Sequence, residues 1–304
     1  MRILLLGARG QVGWQLRRSL SVVGQTTALD RSSRDHCGDL LNHHGIAATI
    51  HQIQPHVIVN AAAWTAVDKA ESEPDAAMAA NAWACETIAK EAAALNAWVI
   101  HYSTDYVYPG TGNTPWVETD PTAPVNTYGR SKLAGEQLIQ KFNARHIIFR
   151  TSWVFDTWGQ NFLKTILRLA QTRDTLNVVG DQWGAPTRAA LIADITAHVI
   201  RTLTHANADG LAGIYHLAAQ GHTSWHAYAQ ELVSAALDCK LPIKARPELI
   251  HPVSTSAYPT PAARPANSRL DTHKLQNTFE LSLPHWTHGV RTVVSELAEQ
   301  IQKS

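Results

Sequence analysis

The sequence predicts an α/β protein built on a doubly wound parallel sheet, followed by a smaller α/β domain. In the first half, short apolar runs alternate with helical patterns, and a glycine-rich turn follows the first run. Apolar strands buried on both faces are typical of a parallel sheet covered by helices. Right-handed crossovers then favour the doubly wound arrangement.

Strands and helices are predicted from the spacing of apolar residues. Strands are predicted at 2–6, 26–29, 56–60, 98–102, 146–149, 176–180 and 215–218. Helices are predicted at 11–23, 75–95 (alanine-rich, after Pro74), 127–142 and around 160–171, 189–204 and 225–238. Residues 242–265 carry six of the fourteen prolines and predict a long irregular loop. The predicted domains are 1–150, to whose sheet later segments can return, and 151–304.

Composition excludes several classes of protein. Lys and Arg number 26 against 25 Asp and Glu, a net charge of +1, which does not favour nucleic acid or an anionic membrane as a partner. No apolar run is long enough to span a bilayer, and no signal-peptide core follows the N-terminus. The cysteines Cys37, Cys85 and Cys239 lack C-x-x-C spacing, so neither disulfides nor a zinc site is predicted. We expect a cytoplasmic protein without a metal.

Three glycines, Gly7, Gly10 and Gly13, follow the first predicted strand and open the first predicted helix. Such a turn needs positive backbone angles and lets a pyrophosphate approach bare amides at the helix N-terminus. The motif therefore predicts a Rossmann dinucleotide-binding domain over 1–150. The segment 151–304 is then expected to hold mainly the substrate.

The end of the second strand bears on the choice between two cofactors. Asp30 can accept a hydrogen bond from an adenosine ribose 2′-hydroxyl, which favours NADH. Arg31 and Arg9 can each neutralise the 2′-phosphate of NADPH. The sequence leaves both cofactors open.

Tyr128 and Lys132 are four residues apart on a predicted helix, so their side chains share one face. An ammonium about 5 Å from the phenol favours the phenolate by roughly 3 kcal/mol at an effective dielectric near 20, or about two pK units. This predicts a lowered tyrosine pKa and a group able to transfer a proton.

Ser103 and Thr104 end the predicted strand 98–102 at the edge where parallel sheets bind ligands. A hydroxyl there can hydrogen-bond a carbonyl oxygen. No P-loop of the form G-x-x-x-x-G-K-[ST] and no G-x-S-x-G elbow occurs, which disfavours an NTPase or a serine hydrolase.

With these motifs the chain resembles the extended short-chain dehydrogenase/reductase family, and within it reductases of nucleotide sugars. The resemblance covers almost the whole chain. It rests on segments 7–16 (GARGQVGWQL), 60–74 (NAAAWTAVDKAESEP), 103–110 (STDYVYPG), 124–136 (PVNTYGRSKLAGE), 150–155 (RTSWVF), 181–187 (DQWGAPT) and 264–272 (RPANSRLDT).

The resemblance implies that NADPH or NADH reduces the C4 keto group of a dTDP-sugar, dTDP-4-dehydro-β-L-rhamnose. Thr104 would hydrogen-bond the C4 oxygen, Tyr128 would donate the proton, and Lys132 would hold the nicotinamide ribose and lower the tyrosine pKa. The expected cofactor-binding residues are Gly7, Gly10, Gln11, Val12, Gly13, Asp30, Arg31, Asp39, Leu40, Ala62, Ala63, Thr65, Tyr128 and Lys132. The expected substrate contacts are Thr104, Asp105, Tyr128, Trp153 and Asn161.

One departure from the family and two alternative functions accompany this resemblance. Some members form a dimer bridged by Mg²⁺, with a carboxylate where this chain has Gln15, a poor ligand for a hard cation. We therefore expect a monomer or homodimer without a bridging metal. The alternatives are another nucleotide-sugar enzyme of this fold, such as an epimerase or dehydratase, and a non-catalytic, nucleotide-binding regulatory subunit. Asp105 has no Glu beside it, which disfavours dehydration.

Overall fold

A six-stranded sheet lies at the centre of the molecule. The structure, a computed structural model, describes residues 1–204 and 208–302. Its strands are β1 (Arg2–Leu6), β2 (Gln25–Leu29), β3 (Val57–Asn60), β4 (Trp98–Thr104), β5 (His146–Thr151), β6 (Val154–Phe155), β7 (Leu176–Val179), β8 (Trp183–Gly184), β9 (Thr187–Arg188), β10 (Gly213–His216), β11 (Thr223–Ser224) and β12 (Ile250–Val253). Its helices are α1 (Gln11–Ser19), α2 (His43–Ile53), α3 (Val67–Ser72), α4 (Pro74–Met78), α5 (Ala84–Ala94), α6 (Thr127–Phe142), α7 (Phe162–Thr172), α8 (Ala189–Leu203), α9 (Trp225–Asp238), α10 (His273–Phe279) and α11 (Trp286–Gln302).

The central sheet has the strand order β2-β1-β3-β4-β5-β10, and all of its pairs are parallel. Chain order reverses between β1 and β3, so a crevice opens beyond the carboxyl ends of these strands. The doubly wound α/β fold predicted from the sequence is confirmed. The proposed boundary at residue 150 stays a prediction.

Apolar side chains cover both faces of this sheet. Leu4, Ile58 and Val99 pack on one face with α2 and α5, and Ile3 and Leu5 pack on the other with α1 and α8. This alternation along each strand buries both faces, because successive side chains of a strand point in opposite directions. The helices therefore hold the strand ends in fixed positions around the crevice.

The second half of the chain has a core of its own beside the crevice. Its largest buried residues come from β6, α7, α9 and α11, and the short parallel pair of β7 and β12 covers one side. The proline-rich stretch 242–265 is largely irregular, as predicted, apart from β12 and two short 3₁₀ turns. Helices α2, α3, α10 and α11 were not predicted from the sequence.

The alanine-rich helix predicted over 75–95 is interrupted in the structure. One turn of π-helix, Ala79–Trp83, separates α4 from α5. Such a turn inserts an extra residue into the helix and re-aims a side chain, often at a functional site. Here it presents Asn81, 1% exposed, to both the loop after β3 and helix α6.

A buried ion pair joins α6 to β5 below the crevice. Arg150 donates from Nε to Glu136 Oε1 at 3.0 Å and from Nη2 to Oε2 at 2.6 Å. Its Nη1 donates to the Tyr108 hydroxyl at 2.6 Å, so the guanidinium has three bonded contacts. Both charged side chains are almost completely buried, which makes each dependent on the other.

We expect Glu136→Gln to lower the free energy of unfolding by about 3–5 kcal/mol, because it leaves the Arg150 guanidinium buried without a counter-charge. Chemical denaturation measures this change. Glu86→Gln is the control, since the exposed Glu86–Lys90 pair should contribute less than about 0.5 kcal/mol. Equal losses in the two variants would contradict the role given to burial.

Candidate active site

The glycine turn after β1 is shaped by close backbone contacts. Gly7 has φ of +85°, and a Cβ there would lie 2.5 Å from the Ala62 backbone nitrogen. A Cβ on Gly13 would lie 2.0 Å from the Gly7 carbonyl oxygen. At Gly10, by contrast, the nearest atom to a Cβ is that same oxygen at 3.4 Å, so the fold alone does not require glycine. An open approach to Gly10 and to the first amides of α1, Gln11 and Val12, fits a pyrophosphate.

A segment of the second half crosses this turn. Trp158 stacks on Trp14 at 4.1 Å between ring centroids and donates from Nε1 to the Arg9 carbonyl at 2.8 Å. Asn161 Nδ2 donates to Gln11 Oε1 at 2.8 Å, and Asn161 Oδ1 caps α7 by accepting from the Lys164 amide. Asn161, expected at the sugar, is therefore bonded to the glycine loop.

The end of β2 holds an ionised carboxylate beside an arginine. Asp30 accepts from the Ser32 amide at 2.7 Å and from its hydroxyl at 2.6 Å, and these bonds with Arg9 nearby lower the Asp30 pKa. Arg9 Nε lies 3.4 Å from Asp30 Oδ2. Arg31 is exposed next to them. The structure thus brings together Asp30, which can accept from the ribose 2′-hydroxyl of NADH, and two arginines, which can bind the 2′-phosphate of NADPH.

The other expected cofactor residues lie at the same edge of the sheet, but one of them, Leu40, is buried in the core. Ala62 backs the glycine turn, and Ala63 and Thr65 are exposed in the loop after β3. Asp39 is half-buried, whereas Leu40 is 6% exposed and packs in the core with α2. Leu40 can reach a ligand only with the small part of its surface that remains open.

The end of β4 carries a hydrogen-bonded set of polar groups. Thr104 Oγ1 donates to Asp105 Oδ1 at 3.0 Å, and the Thr104 side chain lies near the Tyr128 hydroxyl, where it partly offsets the effect of burial on the Tyr128 pKa. Ser268, from the far end of the chain, lies near Asp105, and its side chain opposes the rise in the Asp105 pKa. Thr104 and Asp105 are buried, and Asp105 Oδ2 has no partner in the described part of the chain. Burial raises the Asp105 pKa to about 7.

The prediction that the Tyr128 pKa is lowered is wrong for the ligand-free protein. Burial of the hydroxyl raises this pKa well above its usual 10, and the charge of Asp105 adds to the rise. The ammonium of Lys132 is turned elsewhere, since its Nζ donates to the Tyr102 carbonyl at 2.6 Å and lies 3.3 Å from His101 Nε2. Loss of hydration therefore outweighs the charge attraction inferred from spacing. Tyr128 keeps its proton at neutral pH.

Trp153 lies across the crevice in an unusual conformation. Its φ is +50°, and its ring stacks on Trp225 at 3.5 Å between centroids. A Cβ on Gly184 would lie 2.6 Å from the Trp153 ring, so only glycine leaves room for it there. A left-handed backbone is costly for a large side chain, and the surrounding packing holds it.

Four further residues were missed in the sequence analysis. Asn81 ties the loop after β3 to α6: it accepts from the Trp64 amide at 2.8 Å and donates to the Ser131 hydroxyl at 2.9 Å. Ser268 contacts Asp105, and His101 and Asn60 lie behind Lys132. A lone asparagine in an alanine-rich run was the one available sequence signal, for Asn81.

Two features are absent from residues 1–204 and 208–302: a helix able to cross a membrane and a cluster of side chains able to bind a metal. Helices in these ranges lack the length and apolar character needed to cross a membrane. The same ranges hold no cluster of three or more His, Cys, Asp or Glu side chains placed to bind a metal.

The doubly wound fold, the glycine turn and the Thr104–Tyr128–Lys132 set define an NAD(P)H-dependent oxidoreductase of the extended short-chain dehydrogenase/reductase class. Comparison with known proteins narrows this class. The family described as RmlD substrate binding domain matches residues 1–299. The dTDP-4-dehydrorhamnose reductase of Salmonella typhimurium is 54% identical over 297 residues, which cover 98% of each chain. The enzyme of that name from Escherichia coli K12 is 53% identical over the same share of each chain.

A solved structure agrees with these relatives. The dTDP-4-dehydrorhamnose reductase of Bacillus anthracis, in complex with NADP, is 33% identical, with a TM-score of 0.87 over 97% of this chain and 99% of that one. The chain belongs to the RmlD family, the dTDP-4-dehydrorhamnose reductases.

We expect Asp105→Asn to stabilise the ligand-free protein at pH 8 but not at pH 4.5. The folded carboxyl keeps its proton up to about pH 7, whereas the unfolded one loses it near pH 4, so native stability falls as pH rises between these values. The gain at pH 8 should reach about 4 kcal/mol at most. Denaturation at both pH values measures it.

Asp181→Asn is the control, because desolvation acts to raise the pKa of that carboxyl but its hydrogen bonds, chiefly with Thr255, together lower it. This variant should not gain stability at pH 8. An Asp105→Asn protein as stable as wild type at both pH values would show that burial does not hold the Asp105 proton.

Proposed function

We propose that the chain reduces the C4 keto group of dTDP-4-dehydro-β-L-rhamnose to dTDP-β-L-rhamnose, with NADPH or NADH as reductant and Tyr128 as proton donor. The observation that carries this proposal is the buried cluster of Thr104, Asp105 and Tyr128 at the carboxyl end of β4, in which Thr104 is hydrogen-bonded to Asp105 and Tyr128 lies beside them. The names of the relatives supply the substrate, and the site supplies groups suited to its reduction.

Thr104 and Tyr128 are placed to receive one oxygen atom between them. Their side chains lie close to each other at the strand end. A carbonyl oxygen placed there can accept from the Tyr128 hydroxyl, and also from the Thr104 hydroxyl once its single proton turns from Asp105 to the ligand. Such donors stabilise the negative charge that grows on the oxygen during reduction. Both groups are held by β4 and α6, so they need little reorganisation.

Tyr128 has the protonation state that a proton donor needs. Burial keeps its hydroxyl neutral at physiological pH, so a proton is available when charge develops on the substrate oxygen. Asp105 can hold Thr104 in place through the bond of 3.0 Å. The reduced nicotinamide supplies the hydride.

Lys132 and the glycine loop hold the reductant in this proposal. The Lys132 ammonium lies one helical turn from Tyr128 and suits the nicotinamide ribose hydroxyls. Gly10, Gln11 and Val12 offer backbone amides to the pyrophosphate. Because Asp30 and Arg9 lie together, we propose that both NADH and NADPH are accepted, with Ser32 and Arg31 assisting at a 2′-phosphate.

The sugar nucleotide is held by groups on the second side of the crevice. Trp153 and Asp105 are the proposed sugar contacts, and Asn161, which donates to Gln11 of the cofactor loop, is the third. We propose a protein that works as a monomer or homodimer without a bridging metal, since Gln15 replaces the carboxylate of metal-bridged dimers.

We expect Tyr128→Phe to lower turnover by about 10²–10⁴-fold, the usual contribution of general acid catalysis, with little effect on cofactor binding. A coupled assay measures this: dTDP-glucose and the two preceding enzymes generate the 4-keto-L-sugar in place, while NADPH and NADH absorbance are followed separately. Chromatography identifies the product.

Tyr102→Phe is the matched control. Its hydroxyl bonds Thr196 at 2.7 Å, away from the crevice, so turnover should stay near wild type. A Tyr128→Phe enzyme with near-normal rates would overturn the proton-donor assignment. If the wild-type protein binds NADPH but consumes neither NADPH nor NADH in the coupled assay, the proposed substrate is wrong.

A further inference from the structure

The ammonium of Lys132 is buried under the active site with two acceptors around it. The side chain is 2% exposed and extends from α6 toward β4. Its Nζ donates to the Tyr102 carbonyl oxygen at 2.6 Å and meets His101 Nε2 at 3.3 Å. An ammonium has three N–H donors, so one remains for a ligand.

His101 is able to act as an acceptor at this place. It is 1% exposed, and burial together with the Lys132 charge lowers its pKa well below the usual value, so the ring stays neutral. A neutral imidazole accepts at one nitrogen and donates at the other. Facing an ammonium, Nε2 is the accepting nitrogen, and the proton is on Nδ1.

Two polar groups lie near Nδ1 and can accept its proton in a hydrogen bond. The Asn60 side-chain amide lies 3.2 Å from Nδ1 and the Cys85 sulfur 3.9 Å away. The Asn60 Oδ1 accepts from the Ala62 amide at 3.3 Å while Nδ2 faces His101 Nδ1. A half-turn of the amide exchanges two atoms of nearly equal size, gives up that long bond and places the oxygen opposite the Nδ1 proton. Asn60 ends β3 and Cys85 lies on α5, so the ring is fixed from two elements.

We propose that His101 is a positioning residue: its Nε2 lone pair holds the Lys132 ammonium so that the third N–H points at the nicotinamide ribose. Nothing in the sequence motifs assigns this role. A carboxylate at position 101 would neutralise the ammonium, whereas a neutral imidazole orients it and leaves its charge to act on the ligand. The proposal rests on the proposed function only in taking the ribose as the ligand of Lys132.

The titratable groups that face Lys132 set the expected pH effect. They are Cys85 of α5, Glu136 on its own helix, His101 of β4 and Tyr128 one turn earlier. Burial lowers the Lys132 pKa, and an acceptor opposes that change because it favours the charged form. Removing the acceptor should therefore move the alkaline limb of the pH–kcat profile to lower pH.

Two pairs of variants separate positioning from packing. His101→Gln can place its amide oxygen about where Nε2 lies and so keeps an acceptor for Lys132. His101→Asn is shorter, and its amide oxygen reaches only about as far as Nδ1. His101→Leu removes the acceptor altogether. The control is His146→Gln, which replaces a buried histidine on the adjacent strand β5 whose ring bonds the Asn143 carbonyl.

The first measurement is NADPH affinity by fluorescence titration of each variant, which needs no sugar substrate. We expect His101→Leu and His101→Asn to weaken NADPH by about tenfold or more, as for a lost contact to a charged group. His101→Gln and the His146→Gln control should stay within about threefold of wild type. The alkaline limb should move only in the Leu and Asn variants.

Equal NADPH affinity and equal pH profiles in the Gln and Asn variants would overturn the proposal, whatever their thermal stability. If Leu does not fold, the Gln–Asn comparison alone decides. If wild type binds NADPH but does not reduce the dTDP-sugar, the proposed function fails while the affinity series still tests His101.

Discussion

The hydrogen bond between Thr104 and Asp105, within reach of the Tyr128 hydroxyl, depends on exclusion of water from the end of β4. In water an aspartate is charged and a tyrosine ionises near pH 10. At this strand end burial raises both pKa values, so the site holds its protons where a keto reduction needs them. This burial leaves Asp105 Oδ2 without a hydrogen-bond partner in the described structure.

The surrounding elements of the fold together bury the end of β4. Parallel strands bring the end of β4 beside the glycine turn of β1, and α6 places Tyr128 and Lys132 over it. The π-helical turn that presents Asn81 joins the loop after β3 to α6. Ser268 of the second half is buried close to Asp105, so both halves of the chain contribute side chains to the surroundings of this carboxyl.

Much of this arrangement could be predicted from local sequence. The glycine spacing and the apolar strands are short-range patterns, and the family motifs fix which residues meet. The side-chain electrostatics could not be predicted in the same way. Helical spacing placed Lys132 near Tyr128, but the Tyr102 carbonyl and His101 turn its ammonium away, and desolvation reverses the expected direction of the tyrosine pKa. Those contacts come from β4, which sequence spacing on α6 does not describe.

The proposed reduction depends most on the protonation state of Tyr128, and NMR of protein labelled with ¹³C at the tyrosine ζ carbon measures it directly. Tyr128→Phe identifies the resonance in the ligand-free protein, and pH is then raised from about 6 to about 9.5, just below the usual tyrosine pKa. If burial holds the proton, the Tyr128 signal stays at the neutral-phenol position over the whole range. A midpoint below about pH 8 would contradict it, because Lys132 would then stabilise the phenolate more than burial disfavours it.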